Sequence, residues 1–209
     1  FVQSQGISED CRCITRILNL PREKVDVTLI PCGGAFGGKE DMTVQGHAAL
    51  FAYLLKQPVR VRLNREESLR MHPKRHPMIM NYQLGCDNEG RLTALKADIV
   101  GDTGAYASLG AAVLSRSAGH AAGGYHVPNV DVTAKAVYTN NIPCGAMRGF
   151  GVNQVTFAME SAVDELCEIG GFDRWQFRYD NALGDGSRTI TGQTLVGGVG
   201  LKETLLAVK

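Results

Sequence analysis

The chain has 209 residues, of which 44% are hydrophobic and 21% are charged. This length and composition predict one globular domain, or two small ones, with a buried core. The 22 basic and 21 acidic residues give a formal charge of +1, which argues against nucleic acid or an anionic membrane as a partner. No apolar run reaches the length of a membrane span, and the N-terminus lacks the segments of a signal peptide. We therefore expect a soluble chain.

The six cysteines are scattered and form no C-x-x-C pair. They are Cys11, Cys13, Cys32, Cys86, Cys144 and Cys167. This usage is typical of reduced thiols and predicts a cytoplasmic protein. The chain begins with Phe1 and stops within the helical-looking run "GLKETLLAVK", so we expect a fragment of a longer protein.

The N-terminal third of the chain predicts the order helix, strand, loop, helix. Ser8 is a candidate helix cap, followed by an acidic first turn, and Pro21 ends the helix. The alternating segment "VDVTLI" predicts a strand before a glycine-rich loop. After that loop, one apolar stripe predicts a second helix. Its members are Val44, Ala48, Phe51 and Leu55.

The rest of the chain predicts strands and helices in mixed order. "VRVRL" and "VDVTAKAVY" alternate like strands, and "MIMNYQL" and "RLTALKADIV" form a hairpin around the turn "DNEG". Residues 108–119 fit either a helix or a compact loop. A further helix has its apolar face at Val155, Ala158, Ala162 and Leu166 and ends at Gly170. The polar, glycine-rich segment that follows, up to Gly200, predicts irregular structure. The pattern as a whole predicts an α+β fold with antiparallel hairpins and a mixed sheet packed against helices.

The loop "GGAFGGKE" has the glycine and lysine spacing of a phosphate-binding loop, G-x-x-x-x-G-K. The Ser or Thr that should follow is replaced by Glu40, whose carboxylate would repel phosphates instead of binding their magnesium. This replacement argues against a P-loop NTPase. A glycine-rich connection with an acidic helix N-terminus remains an alternative.

A second loop, "PCGAMRGFG", places Arg148 and Phe150 between glycines, where backbone can approach a ligand closely. Alone, this pattern is more typical of a surface loop. His72 and His76 are each followed by proline, which disfavours the helix that a zinc pair would need. Ser108 lacks the first glycine of a nucleophile elbow.

The two loops, with "VQSQG" near the start and "YHVPN" between them, resemble the molybdenum-binding subunit of the xanthine dehydrogenase and aldehyde oxidase family of molybdenum hydroxylases. "GGAFGGKE" is similar to that family's G-G-G-F-G-G-K-E loop, with Ala35 as the departure, and "GAMRGFG" is similar to its A-F-R-G-F-G loop. The resemblance covers almost the whole chain. Residues 1–209 are therefore expected to be a fragment of a molybdenum cofactor-binding region.

The resemblance implies a molybdenum-molybdopterin cofactor held without any protein ligand to the metal. Gln5 would hydrogen bond to an oxygen ligand of molybdenum, and the backbone at Phe36, Gly37 and Arg148 would line the cofactor. Phe36 and Arg148 are therefore expected to lie close together. Glu40 and Arg116 match the catalytic, substrate-facing residues of the purine-oxidising members. Phe150 matches a ring that packs against bound substrate.

The expected activity of the full-length protein is hydroxylation of a purine such as hypoxanthine or xanthine, with water as the oxygen source. Negative charge that builds on the heterocycle would be neutralised by Arg116, while Glu40 would orient the ring or exchange a proton with it. The resemblance also implies iron-sulfur clusters, and in some members FAD, on other domains or subunits, and it is compatible with a homo-oligomer.

The family's general-base glutamate lies downstream of this chain, so the fragment is not expected to catalyse alone. An aldehyde oxidase-like enzyme, a P-loop-like nucleotide-binding domain and a noncatalytic structural domain are the alternatives.

Overall fold

The computed structural model describes all 209 residues and divides the chain into two compact units. The first unit comprises residues 1–75, 104–109 and 140–148. The second unit comprises residues 76–103, 110–139 and 149–209. The chain therefore passes between the units several times. No helix combines the length and the apolar character that crossing a membrane would require.

The first unit is built from helices and long loops. Its elements are α1 (Ile7–Leu18), a single 3-10 turn (Arg22–Lys24), α2 (Gln45–Leu55) and α3 (Arg65–Met71). A small core forms where α1 packs on α2, around the buried side chains of Cys11, Ile14 and Val25. The packing is close, because a Cβ added to Gly46 of α2 would lie 2.9 Å from the Ile17 side chain.

The first helix is confirmed, but its start differs from the prediction. Gly6 occupies the cap position without a side-chain hydrogen bond, so Ser8 lies inside the first turn and does not cap the helix. The helix ends at Leu18, and Asn19 adopts the left-handed conformation (φ 49°) that closes it. Pro21 lies beyond this end.

Two predicted strands of the first unit are wrong. "VDVTLI" contributes only an isolated bridge between Leu29 and Val2, and "VRVRL" is extended without any ladder. Alternation favours an extended backbone, but a strand exists only where a second segment supplies hydrogen-bonding partners. The tertiary structure supplies only Val2 as a partner for the first segment and no ladder for the second.

The second unit contains one three-stranded sheet, in the order β1 (Met78–Cys86), β2 (Leu92–Asp102), β3 (Asn129–Val137). β1 and β2 are antiparallel, and the carboxylate of Asp87 holds the turn by accepting from the backbone NH groups of Glu89 and Arg91. β2 and β3 are parallel, so a crossover must connect them. The hairpin, the mixed sheet and the α+β class are confirmed.

The crossover between β2 and β3 contains α4 (Gly110–Gly119), which resolves the undecided segment in favour of a helix. α5 (Val152–Gly170) packs against β1 and α4. Val155 lies on the buried face of α5 as predicted, but the other members are each one residue further along the chain, at Met159, Val163 and Cys167. Together with Leu95 and Ile99 of β2 and Val113 of α4, these residues form the core of the second unit.

The segment from α5 to Gly200 was predicted to be irregular, but it contains a helix. α6 (Arg174–Asn181) begins at Asp173, whose carboxylate accepts from the backbone NH of Gln176. α7 (Leu201–Ala207) follows in the C-terminal run that looked helical in the sequence. The indole NH of Trp175 donates to the Leu205 carbonyl and so joins the two helices. Aspartate at the cap position was the sequence signal for α6.

A half-buried network of charges ties α6 to α5. Arg178 donates to Glu160 at 2.8 Å and to Asp164 at 2.9 Å, and the Tyr125 hydroxyl donates to Glu160 at 2.7 Å. Burial, and then the hydrogen bond to Glu160, raise the pKa of the Tyr125 hydroxyl. Every charge in this group is partnered, which is the condition under which partly buried ions stabilise a fold.

We expect Arg178→Ala to lower the free energy of unfolding by about 1–3 kcal/mol, because two carboxylates would lose their donor. Arg174→Ala is the matched control, since Arg174 contacts Asp164 and Glu168 only at 3.7 and 3.8 Å on the surface, and its removal should cost less than about 0.5 kcal/mol. Urea unfolding followed by the fluorescence of Trp175, the only tryptophan, measures both. Equal losses for the two variants would contradict the assignment.

Candidate functional site

The glycine loop at residues 33–40 has a backbone conformation that most residues avoid. Gly34 and Gly37 have φ values of 105° and 90°, and Phe36 lies in the left-handed region at 53°. The Phe36 side chain is 69% exposed. A bulky residue held at positive φ with its ring in solvent costs stability, and such strain concentrates at ligand-binding sites.

Gln5 holds this loop in place. Its side-chain oxygen Oε1 accepts from the backbone NH groups of Gly37 at 3.1 Å and Lys39 at 3.3 Å. Its own backbone NH donates to the Lys39 carbonyl at 2.9 Å. Because Oε1 is the acceptor for both loop NH groups, the amide orientation is determined, and Nε2 is left as a donor without a partner in the protein.

The second predicted loop lies against the first. A Cβ added to Gly37 would lie 2.9 Å from backbone atoms of Ala146 and Met147, so the two backbones touch at this glycine. The guanidinium carbon of Arg148 lies 5.6 Å from the centroid of the Phe36 ring. Arg148 forms no ion pair, so its charge is available to a ligand. The predicted proximity of Phe36 and Arg148 is confirmed.

The second loop is anchored by backbone pairing within the first unit. Lys74 donates its backbone NH to the Pro143 carbonyl and accepts from Gly145. A Cβ added to Gly145 would lie 2.0 Å from the Asp41 carboxylate, which accepts from the Ser108 hydroxyl. Ser108 is therefore a structural donor to Asp41. Its site in the loop that connects β2 and α4 ties that loop to the end of the glycine loop.

Glu40 is partly exposed, and its carboxylate forms no hydrogen bond or ion pair. α2 begins only at Gln45, with Val44 at the cap position, so Glu40 is not at the N-terminus of the helix. The alternative that this residue only supplies an acidic helix start is therefore wrong. A carboxylate without a partner in the protein is free to interact with a ligand.

The P-loop alternative does not fit this geometry either. No strand enters the loop, and the helix starts six residues after Lys39 instead of at the lysine. The Lys39 ammonium lies 3.2 Å from the Cys32 sulfur and 3.5 Å from Gln3 Oε1. The hydrogen bond from Lys39 holds the pKa of the exposed Cys32 thiol below its ordinary value. The lysine therefore braces the loop from within instead of reaching toward phosphates.

Arg116 and Phe150 belong to the second unit. Arg116 is exposed in the last turn of α4 and has no carboxylate partner. Phe150 has a φ of 49° between two glycines that also have positive φ, and its ring is partly buried against the core of this unit. The structure thus brings Gln5, Phe36, Gly37 and Arg148 together in the first unit. Arg116 and Phe150 belong to the second unit.

Sequence reasoning missed one residue in each unit. Cys32 was counted only among ordinary thiols, although its position seven residues before Lys39 in the same loop was the available signal. His120 was not singled out, although it follows Arg116 by four residues, the spacing that places two side chains on one helix face.

The donors around the glycine loop suit an anionic cofactor rich in oxygen atoms. Gln5 Nε2, the Arg148 guanidinium and the backbone NH groups of Phe36 and Arg148 have no partners within the protein. The chain contains no cluster of three or more His, Cys, Asp or Glu residues that could hold a metal ion. A group that fits here is one that accepts hydrogen bonds from the protein.

Residues 1–182 match the family model of the molybdopterin cofactor-binding domain. The chain therefore belongs to the molybdopterin cofactor-binding domain family, and its two loops are part of a domain that binds this pterin. Molybdopterin carries the metal on its own sulfur atoms, in agreement with a site made of hydrogen-bond donors.

Similar proteins include several oxidoreductases. The chain is 45% identical over 204 residues to the nicotinate dehydrogenase large molybdopterin subunit of Eubacterium barkeri, covering 98% of the chain and 48% of that protein. It is 45% identical over 168 residues to a probable xanthine dehydrogenase component of Bacillus subtilis (strain 168), covering 80% of the chain and 23% of that protein. The chain thus spans half or less of these relatives.

The fold is that of a solved aldehyde oxidoreductase from Desulfovibrio gigas. The two structures superpose with a TM-score of 0.93 at 30% sequence identity, over 99% of this chain and 23% of that chain. The α+β fold of a molybdopterin-binding domain is therefore confirmed.

We expect Gly37→Ala to separate the two loops, because the new methyl group would meet the Ala146 backbone and the residue would keep a φ that alanine disfavours. The cost should be about 1–3 kcal/mol. Gly33→Ala is the matched control, since no atom lies within 4 Å of its added Cβ and its φ is not positive.

Separation of the loops is measured by hydrogen exchange of the backbone amides of residue 37 and Lys39, which donate to Gln5. Exchange should be faster in Gly37→Ala and unchanged in Gly33→Ala. Unaltered protection in both variants would show that the contact between the loops does not hold the glycine loop.

Proposed function

We propose that the protein that contains this chain is a molybdenum hydroxylase that acts on an N-heteroaromatic substrate. The observation that carries the proposal is the pairing of Gln5 with the glycine loop, because it leaves the amide nitrogen Nε2 without a partner at the loop whose Phe36 ring contacts the unpaired guanidinium of Arg148. A rigid donor in this position suits a cofactor with exposed oxygen atoms.

The chain's residues would hold molybdopterin in different ways. Gln5 Nε2 and the backbone NH groups of Phe36 and Arg148 would donate to it. The NH of Gly37 is already bonded to Gln5, so Gly37 would line the cofactor through its Cα, where the absence of a side chain permits close approach. When bound, the molybdenum cofactor supplies the two-electron oxidation of a ring carbon with an oxygen atom from water.

Glu40 and Arg116 would act on the substrate. Hydroxylation of a carbon next to a ring nitrogen builds negative charge on the heterocycle, which the Arg116 guanidinium would balance. Glu40 would orient the ring through its nitrogen atoms or exchange a proton with one of them. Phe150, at positive φ between flexible glycines, would offer its ring to one face of the substrate.

Glu40 and Arg116 together favour a purine, such as hypoxanthine or xanthine, as the first substrate candidate. A purine has donors and acceptors on two edges and uses both residues, whereas a simple aldehyde gains little from them. A pyridine carboxylate is the second candidate. The observation that favours it is the 45% identity, over 98% of the chain, to a protein named for nicotinate.

The electrons would leave through partners outside this chain. We propose iron-sulfur clusters and, where present, a flavin on other domains or subunits of the same enzyme, and a cytoplasmic location consistent with six free cysteines. A homo-oligomer is compatible with this arrangement.

The proposal is tested on the full-length protein by metal analysis together with hydroxylation in isotope-labelled water. We expect molybdenum in the purified protein and label in the product. Gln5→Ala should lower turnover about tenfold to a hundredfold by removing both the amide donor and the support of the loop. Gln57→Ala, at an exposed glutamine after α2, is the control and should retain turnover. A protein without molybdenum, or unlabelled product, would refute the proposed activity.

The purine assignment predicts that Glu40→Ala and Arg116→Ala each lower purine turnover more than aldehyde turnover in the full-length enzyme. The difference should be about tenfold to a hundredfold for each residue, because a lost polar partner costs about 1–3 kcal/mol. Steady-state kcat/KM for both substrates measures the difference. Equal losses, or a parent enzyme that prefers aldehydes, would refute the purine assignment and leave the molybdenum hydroxylase class standing.

A further inference from the structure

Residues 59–63 form an extended segment of the first unit that has no strand beside it. None of their backbone NH or carbonyl groups forms a hydrogen bond within the chain, and no ladder or isolated bridge includes them. An extended backbone with free NH and carbonyl groups is a template for pairing with another strand. The 59–63 segment is therefore a strand without its sheet.

Both ends of the 59–63 segment are fixed by neighbouring helices. α2 ends at Leu55, and the backbone NH of Lys56 donates to the Ala52 carbonyl at 3.0 Å from a left-handed conformation. At the other end, Asn64 and Glu67 form a reciprocal capping box at the start of α3, with hydrogen bonds of 2.7 and 2.9 Å. A segment that is already extended and fixed at both ends loses little conformational entropy when it pairs.

The side chains of the 59–63 segment alternate as they do in a strand with one buried face. Val59, Val61 and Leu63 are half-buried, whereas Arg60 and Arg62 are exposed. No ion pair of the chain includes either arginine. Two guanidinium groups on one face of the segment are therefore available to acidic side chains.

The helix before this segment, α2, also lacks a neighbour on one side. Gly46 is its only buried residue, because that face packs on α1. Phe51, Leu54 and Leu55 share another face by their i, i+3, i+4 spacing, and their exposed fractions are 48%, 63% and 57%. A helix that is apolar on nearly all sides is typical of the interior of a larger protein. Two consecutive elements of the first unit thus lack the neighbours that their sequences suit.

A second copy of the chain is a poor partner for the 59–63 segment. Antiparallel pairing about Val61 would place Arg60 of one copy opposite Arg62 of the other, and like charges directly opposite each other destabilise a sheet. A strand with acidic side chains at these positions fits instead. The chain spans 48% of the length of the Eubacterium barkeri subunit that it resembles, so a protein of that length has as much chain again to supply such a strand.

We propose that the 59–63 segment pairs with a β-strand from a part of the same enzyme outside this chain. The added strand has alternating apolar and acidic side chains, with the acidic ones beside Arg60 and Arg62, and the structure around it covers the apolar face of α2. Main-chain hydrogen bonds supply the affinity of such strand addition, and alternate side chains supply its specificity. The proposal concerns assembly of the enzyme and does not depend on the substrate that it oxidises.

The first test compares hydrogen exchange of the residue 59–63 amides in the 209-residue chain and in the full-length protein, resolved to single residues by fragmentation in the mass spectrometer. Successive NH groups of a strand point to opposite edges, so pairing with one strand protects alternate amides. We expect free exchange in the chain alone and about hundredfold slower exchange of alternate amides in the full-length protein. Unchanged rates would overturn the proposal, and so would protection of every amide, which requires partners on both edges.

The second test measures charge complementarity with two synthetic heptapeptides, TVEVEVT and TVKVKVT, which differ only in charge. The acidic peptide should bind the 209-residue chain about tenfold more tightly than the basic one in a calorimetric titration. The double variant Arg60→Gln, Arg62→Gln should lose this preference. Arg16→Gln is the matched control and should keep it, because Arg16 is exposed on α1 and forms no ion pair.

Two further results would overturn the proposal. An acidic peptide that does not bind, or that binds no more tightly than the basic one, would contradict the predicted character of the added strand. Dimerisation of the 209-residue chain that slows exchange of the residue 59–63 amides would make a second copy the partner, and sedimentation at increasing protein concentration detects it.

Discussion

The pairing of Gln5 with the glycine loop is the interaction on which the candidate cofactor site depends. One side-chain oxygen accepts two backbone NH groups of the loop, and this contact maintains a segment whose φ values are otherwise unfavourable. With the loop held in this way, Gly37 can lie against the Ala146 backbone, and Arg148 reaches the ring of Phe36. A substitution of Gln5 or of Arg148 would therefore alter the contacts between the two loops.

The strain in the loop has a physical compensation. Phe36 is held at positive φ with most of its ring in solvent, which isolated local energetics would not select. The cost is offset by the hydrogen bonds that the loop NH groups donate to Gln5 Oε1 and by those that Lys39 donates to Cys32 and Gln3. The result is a braced loop that keeps some of its NH groups without partners in the protein, which suits a prosthetic group bound by hydrogen bonds.

In the second unit, the packing of α4 determines where Arg116 and His120 lie. Its parallel pair, β2 and β3, requires a crossover, and the helix of that crossover, α4, presents Arg116 and His120 to the same cavity. Ser117, on the buried face of α4, is fully buried and bonds to the Gly151 carbonyl. The core contact therefore determines which way the helix is turned, and this orientation leaves Arg116 without an ion-pair partner on the surface of a cavity.

Local chemistry and pattern made several features predictable. The hairpin at β1 and β2, the strand β3 and the helix α5 follow from alternation, the turn residues and periodicity, and the two loop motifs indicated a molybdenum cofactor site. The proximity of Phe36 and Arg148 also followed from those motifs. Some local predictions were wrong. Beyond Val155 the buried face of α5 was predicted one residue away from the observed one, Ser8 does not cap α1, and α6 was overlooked despite its Asp173 cap.

The sequence by itself determined the family, the loop motifs and the residues able to donate to a cofactor, because these depend on residue type and short-range spacing. Only the tertiary structure decided that "VDVTLI" and "VRVRL" form no sheet, because a strand needs a partner that can come from any part of the chain. It also decided that Gln5 uses its oxygen on the loop and keeps its nitrogen free, and that Arg116 shares a cavity with His120. These are relations between segments distant in sequence or set by side-chain orientation, for which local pattern contains no information.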